Sequence, residues 1–216
     1  MKNEIFSNIS NETIIRYNDR LDKHGKNIKT LGWGNVEQQE YRFNNILYAS
    51  DFVQKNILDI GCGFGDLFDF LNKSKIDVSS YTGWDLNEKL LNNANNSKNN
   101  IVKYEVVDIS NSDDKHYEKF DIGVMLGLLN YKLKSDNLNY DYSKNLIKNA
   151  FNTVREVLIV DFISTKVNPN YPKENFIFYH EPQIMLDFAT QLTSNVVLRH
   201  NYEPIPQKEF MLYIYK

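Results

Sequence analysis

What the chain lacks narrows the field first. It has one cysteine, Cys62, which excludes an internal disulfide and a metal site built from cysteines. It has no apolar run of the ~18 residues a membrane helix requires, and Met1-Lys2-Asn3-Glu4 lacks the apolar stretch of a signal peptide. A cytoplasmic protein without a membrane partner is the expectation. No pairing of histidine and carboxylate falls at metal-ligand spacing, so no metal is expected. Nor does one sign of charge dominate: 25 Lys and Arg against 28 Asp and Glu leave −3, with the basic residues in no long run or stripe. A duplex nucleic-acid binder needs clustered cations to neutralise phosphates, so no nucleic-acid partner is expected. The 216 residues suit one α/β domain. Oligomeric state is not legible.

What is present centres on Ile57-Leu58-Asp59-Ile60-Gly61-Cys62-Gly63-Phe64-Gly65-Asp66-Leu67. An apolar strand of the kind buried on both faces runs into three glycines and then an apolar helical pattern. The glycines permit a sharp turn and close approach of a ligand, and the following helix points free N–H groups at the site. Tyr81 to Asp85 reads as a second strand ending in a carboxylate about twenty residues past the last glycine. That is the distance at which a βαβ unit delivers an acid to a ribose edge. Asn87 is a good N-cap for a helix carrying Leu90, Leu91 and Ala94. Val102 to Asp108 reads as a third strand ending in an acid, Phe120 to Leu128 as a fourth, Ser143 to Phe151 as a helix and Val154 to Ile163 as a fifth strand.

Pro182 suits the first turn of a helix through Leu192, and Val196 to His200 with Phe210 to Tyr215 reads as a terminal hairpin across a loop holding Pro204 and Pro206. Strands alternating with helices argue for a doubly wound parallel sheet. At the other end, the first 35 residues are polar, with Tyr17, Leu21, Leu31 and Trp33 as apolar anchors and Gly25, Gly32 and Gly34 expected to break any long helix. Residues 1–50 read as an arm and cap helix belonging to the same domain as the body, 51–216. Gln39 and Arg42, three apart, share a helix face from which both could reach a site beside the sheet.

Asp59 before the glycines, the Gly-x-Gly-x-Gly turn, the acids Asp85 and Asp108 ending strands two and three, and the terminal hairpin together resemble class I S-adenosylmethionine-dependent methyltransferases over residues 55 to 216. The resemblance implies a seven-stranded, mostly parallel Rossmann-like sheet with an antiparallel C-terminal strand and an N-terminal helical cap. It also implies S-adenosylmethionine as cofactor and S-adenosylhomocysteine as product. Gly61, Cys62 and Gly63 would pack backbone against the methionine part, with Asp59 supporting the turn or the ammonium. Asp85 would accept from the ribose hydroxyls and Leu86 would lie on the adenine. Asp108 and the N–H of Ile109 would take the adenine edge, and the carbonyls of Leu126 and Gly127 would face the amino group.

Leu31-Gly32-Trp33-Gly34-Asn35 with Gln39, Arg42 and Phe43, Gly127 with Asn130, and Val196 to His200 are similar to a narrower group of bacterial methyltransferases. In that group the arm, with Trp33, would fold over the cofactor, and Arg42 would pair with the methionine carboxylate through its planar fork. Members often sit among genes modifying surface or capsular polysaccharide, including methylated phosphoramidate groups, which implies a small-molecule acceptor oxygen or nitrogen.

Methyl transfer from a sulfonium is an in-line displacement in which the protein chiefly aligns the acceptor. A base would serve a hydroxyl acceptor, and the loops at the carboxyl edge of the sheet offer Asn130, Tyr131, Asp161, Tyr179, His180, His200 and Tyr202. His200, which titrates near neutrality, is the first choice, with Tyr179 and Asp161 beside it, all three expected to face one cavity. For a phosphate-like acceptor Arg16, Lys132 and Arg199 are the candidate anchors. Two alternatives stay open: a nicotinamide-dependent oxidoreductase, although the third glycine comes one residue early for Gly-x-Gly-x-x-Gly, and a non-catalytic S-adenosylmethionine-binding module without an acceptor pocket.

Overall fold

A computed structural model describes residues 2–94, 100–111, 119–166, 173–201 and 209–216. Seven strands form one sheet: β1 (Asn56–Ile60), β2 (Ser80–Asp85), β3 (Val102–Val106), β4 (Phe120–Met125), β5 (Val154–Ile163), β6 (Val196–Arg199) and β7 (Glu209–Tyr215). Their order is β3-β2-β1-β4-β5-β7-β6. The first five are parallel, and β7 inserts antiparallel between β5 and β6. The chain therefore reverses direction across the sheet at β1 and β4. There the loops leaving the carboxyl ends diverge and open a crevice for a ligand.

Apolar side chains on both faces explain why these segments are strands. Leu58, Ile60, Trp84, Leu158, Val160 and Leu212 pack under α5 (Asp136–Asn152) and α6 (Pro182–Leu192), through Leu146, Ile147, Ala150 and Met185. Ile57, Tyr81, Ile122, Val124 and Ile159 pack on the opposite face under α2 (Val36–Ile46) and α3 (Asp66–Lys73), through Phe43, Ile46, Leu67, Phe68 and Leu71. Each such buried side chain contributes roughly 1.5–3 kcal/mol of transfer free energy. Helix starts follow local chemistry. Asn35, Asn87 and Ser135 accept from Gln38, Leu90 and Leu138 N–H to cap α2, α4 (Glu88–Leu91) and α5, and Pro182 opens α6.

The largest departure from expectation is at the N-terminus. Instead of a broken arm there is a 23-residue helix, α1 (Lys2–His24). Its glycines lie beyond its end, and the Gly25 N–H closes the last turn on the Leu21 carbonyl at 2.7 Å. The helix is anchored by Phe6 and Ile9, both buried, with the Phe6 ring edge-on to Tyr142 at 5.3 Å. Polar contacts tie it to the sheet edge: Ser10 to Ser110 at 3.3 Å, and the Asn87 amide to the Ile14 carbonyl and the Asn18 side chain at 3.3 and 3.1 Å.

Other boundaries moved too. α5, capped by Ser135, starts at Asp136, seven residues before the expected Ser143, because a run of Asn and Tyr gives little apolar periodicity to see. β4 stops at Met125, releasing 126–131 to the site, and His200 falls just outside β6. Asp108 lies past the end of β3, before a short 3-10 turn (Ile109–Asn111). Pro204, Pro206 and Tyr202 lie outside the described residues. Among the described residues no helix is long and apolar enough to cross a membrane.

Candidate active site

A cavity of about 750 Å³ opens at the carboxyl edge of β1, β2, β3 and β4, beneath α1. One wall is the glycine turn. The Gly61 and Cys62 N–H groups both donate to the Trp84 carbonyl, at 2.7 and 3.1 Å, so β1 stays zipped to β2 up to the turn. The Gly63 N–H then donates to Asp85 Oδ2 at 3.0 Å, while Asp85 Oδ1 accepts from the Asn87 N–H at 2.8 Å. Asp85 is thus aimed from two sides by backbone. Gly63 has φ 55°, and a Cβ there would meet Leu31 at 2.7 Å. The arm lies directly on the turn, and glycine there meets both the left-handed φ and the close approach of Leu31 without cost.

Asp59 is buried under the turn, accepts from the Tyr81 hydroxyl at 2.5 Å, and is pushed up to about 7 by burial. Burial also raises Asp85, against the backbone N–H groups of Asn87 and Gly63. Asp108 accepts from the Ser110 N–H and the Asn111 amide, both at 2.9 Å, and lines the cavity beside Ile109. The Ile109 carbonyl is held by the Asn149 amide at 2.8 Å, so α5 fixes this turn from behind. Leu86 also lines the cavity.

The cap closes the opposite wall. Trp33 lies over Gly127, where a Cβ would come within 3.0 Å of its ring, and Gly127 has φ 70°. Gln39 donates to Asp66 Oδ2 at 2.9 Å and so ties α2 to α3. Arg42 lines the cavity, but its guanidinium is not turned to a ligand. It sits over the Trp33 ring at 4.6 Å, pairs with Glu209, lies 3.4 Å from Asp161 Oδ2 and donates to the Gln38 carbonyl at 3.0 Å. Arg42, Asp161 and Glu209 are 5 %, 1 % and 1 % exposed. Burial of two carboxylates in the sheet demands a cation from the chain, and Arg42, expected to pair with a methionine carboxylate, supplies it here.

The three expected acid–base residues do not come together. Asp161 donates nothing to the cavity: its Oδ1 accepts the Gly127 N–H at 2.6 Å, and burial raises it to about 6 despite Arg42. The Tyr179 hydroxyl accepts from the Glu174 N–H at 2.9 Å. His200, just past the end of β6, turns back over β7: its Nε2 lies 2.8 Å from Ser164 Oγ and its ring is stacked near Phe210. None of the three lines the cavity. An edge strand and a buried ion pair, rather than the ligand crevice, determine where these side chains point. His180 is fully buried among Tyr140, Phe162 and Phe178, bonded to Ser143 at 3.1 Å and pushed down to about 3, a neutral core residue.

The rest of the cavity is lined by residues that sequence reasoning mostly missed. Ile9, Thr13, Arg16, Tyr17 and Arg20 line the cavity from α1, and their spacing of four, three, one and three places them on one helix face. That periodicity was the available signal. Facing them, Tyr131 bridges to Ile177 as paired extended backbone. Asn139, buried, clamps this loop by accepting the Leu133 N–H and donating to the Tyr131 carbonyl, both at 2.8 Å. Asn130 accepts the Ile163 N–H at 3.0 Å. Glu174 and Phe176 complete the mouth.

Residues 57–158 match the family described as a methyltransferase domain. Solved structures with the same fold include magnesium protoporphyrin IX methyltransferase (ChlM) from Synechocystis PCC 6803 with bound SAH, 13 % identical over 95 % of this chain and 99 % of that one, with a TM-score of 0.65. The methyltransferase domain of bacterial CtHen1 is 16 % identical over 84 % of this chain and 100 % of that one (TM-score 0.62). The N-methyltransferase NodS from Bradyrhizobium japonicum WM9 is 14 % identical over 85 % and 98 % (TM-score 0.57). No curated protein matches the chain. The glycine turn, the two strand-end acids and the matched span define the class: the protein is an S-adenosylmethionine-dependent methyltransferase of the class I fold, with S-adenosylmethionine as cofactor and S-adenosylhomocysteine as product.

Proposed function

We propose that the chain methylates an oxygen or nitrogen of a small-molecule acceptor, in the cytoplasm, without a nucleic-acid partner or a metal. The observation that carries the reading is the convergence of the glycine turn, Asp85 and Asp108 on one cavity of small-molecule size, with room left toward Tyr131 and Phe176. When bound, S-adenosylmethionine supplies a methyl group on a sulfonium sulfur, already activated for displacement. Asp85 would accept from the ribose hydroxyls, Asp108 and the Ile109 N–H would hold the adenine edge, and Leu86 and Ile109 would cover the ring. Gly61 to Gly63 and the backbone of Leu126 and Gly127 would take the methionine end, where Asp161 accepts the Gly127 N–H and holds that residue in place. Trp33, Leu31 and α1 exclude water.

The acceptor end lacks a good base. Burial raises Tyr17 and Tyr142, Tyr142 to about 12, and the fields of Asp85 and Asp108 add to this, so both stay protonated at neutral pH and neither is a base. Alignment, with the proton passing to solvent through the mouth, is the better account. A surface- or capsular-polysaccharide precursor, such as one carrying a phosphoramidate group, is the bacterial context favoured by the likeness of Leu31 to Asn35 and Val196 to His200. The reading is tested by calorimetric titration with S-adenosylmethionine and S-adenosylhomocysteine. Both should bind at one site and NAD should not; failure of either sulfur compound to bind would remove the reading.

A further inference from the structure

Three cations line the cavity, and two of them are occupied. Arg42 is held between Glu209 and Asp161. Arg20 donates to the carbonyls of Thr30, at 2.7 Å, and Lys29. Arg16 differs: among the described residues its one hydrogen bond is a long contact to Thr13 Oγ1 at 3.4 Å, and no carboxylate comes within ion-pair distance of it. The guanidinium lies over the Tyr131 ring, 3.4 Å from its centroid. Stacking of this kind fixes the plane of the group while leaving its edge donors to a ligand.

Position separates Arg16 from the cofactor. Along α1, Ser10 meets the turn after β3, and Ile14 and Asn18 meet Asn87 after β2. Arg16 lies 5.4 Å from the ring centroid of its neighbour Tyr17 but stacks more closely, at 3.4 Å, on Tyr131 in the loop after β4. The other sequence-level anchors do not serve. Lys132 is exposed and outside the cavity, and Arg199 lies over Tyr48 at 3.6 Å and donates to Asn201 at 2.9 Å.

We propose that Arg16, presented by Tyr131, binds an anionic oxygen group on the acceptor, so that the substrate class is a small molecule carrying a carboxylate or phosphate. The proposal rests on the methyltransferase reading above. A planar guanidinium pairs with either anion through two parallel N–H···O bonds. It fixes one end of the acceptor while the rest extends toward the cofactor.

The experiment uses full-length protein saturated with S-adenosylhomocysteine and titrated with benzoate, phenyl phosphate and benzamide. At least one anion should bind roughly ten- to a hundredfold more tightly than neutral benzamide, and whichever is tighter names the group. Arg16→Gln should abolish that preference while leaving S-adenosylhomocysteine affinity unchanged, which also shows the variant to be folded. No preference for either anion over benzamide, or a preference that survives in Arg16→Gln, overturns the proposal. A loss of S-adenosylhomocysteine affinity in Arg16→Gln also overturns it, by placing Arg16 on the cofactor. Failure of the wild type to bind S-adenosylhomocysteine would strike the underlying reading instead.

Discussion

On the reading proposed above, the two ends of the cavity are built by different means. At the cofactor end, each polar group sits within a few residues of a parallel strand's carboxyl end and is aimed by backbone: Asp85 by the Gly63 and Asn87 N–H groups, Asp108 by the Ser110 N–H. At the acceptor end, the groups come from α1, from the loop after β4 and from the 174–177 segment, and are aimed by side chains such as Asn139 and Tyr131. A strand end is positioned by the sheet ladder itself, so its chemistry survives large sequence change. A site assembled from three distant segments can be re-tailored by altering any one of them. The cofactor end therefore fixes what the protein does, and the acceptor end fixes to what.

The comparison breaks most visibly at Arg42, which belongs structurally to neither end. Arg42→Ala leaves Asp161 and Glu209 buried without their cation and should destabilise the protein by about 3–5 kcal/mol, read by urea unfolding. A cost below about 1 kcal/mol would show the guanidinium to be solvent-facing and available to a ligand. Next, Asp85→Ala should weaken S-adenosylmethionine by about 1.5–3 kcal/mol in calorimetry while unfolding stability holds. An unchanged affinity removes Asp85 from the site.

Asp59 sharpens the contrast through pH. Its native pKa of about 7 exceeds the ordinary 3.8, so the folded state holds the proton more tightly. Its contribution to stability is full below pH ~4 and is lost as pH rises through about 7. Asp59→Asn removes that titration. It should raise the stability of the cofactor-free protein at pH ~8 by on the order of 2 kcal/mol and change it little at pH ~4. Equal effects at both pH values would mean the carboxyl is solvated. The smallest effect is expected at His200, bonded to Ser164 outside the cavity. His200→Asn should keep turnover within about tenfold, against the ~10²–10⁴-fold loss of a general base.

The same contrast explains what could be read from the chain. The place of Asp85 and Asp108 on the cavity was legible because strand-end acids follow the glycine turn at fixed spacing, and β5 was found at its observed bounds, Val154–Ile163, because seven of its ten residues are apolar, four of them in the run Val157–Val160. α1 was not, since its polar composition hides a face that only Ile9, Thr13, Arg16, Tyr17 and Arg20 define once the cavity is known. His200, Tyr179 and Asp161 were grouped by the edge of the sheet they leave. That argument fixes a loop's starting point and not its side chains' direction, which edge position and ion pairing set here.

The central claim is that the cavity divides into a strand-built cofactor end and a separate acceptor end with Arg42 in neither. A crystal structure with S-adenosylhomocysteine tests it most directly. The account predicts ribose hydroxyls on Asp85, the adenine edge at Asp108 and Ile109, the amino-acid end at Gly61 to Gly63 and Gly127, Arg42 still on Glu209 and Asp161, and open space between the sulfur and Tyr131. A ligand whose carboxylate has drawn Arg42 away from Glu209, or whose adenosine lies against Tyr131 and Phe176, would contradict it.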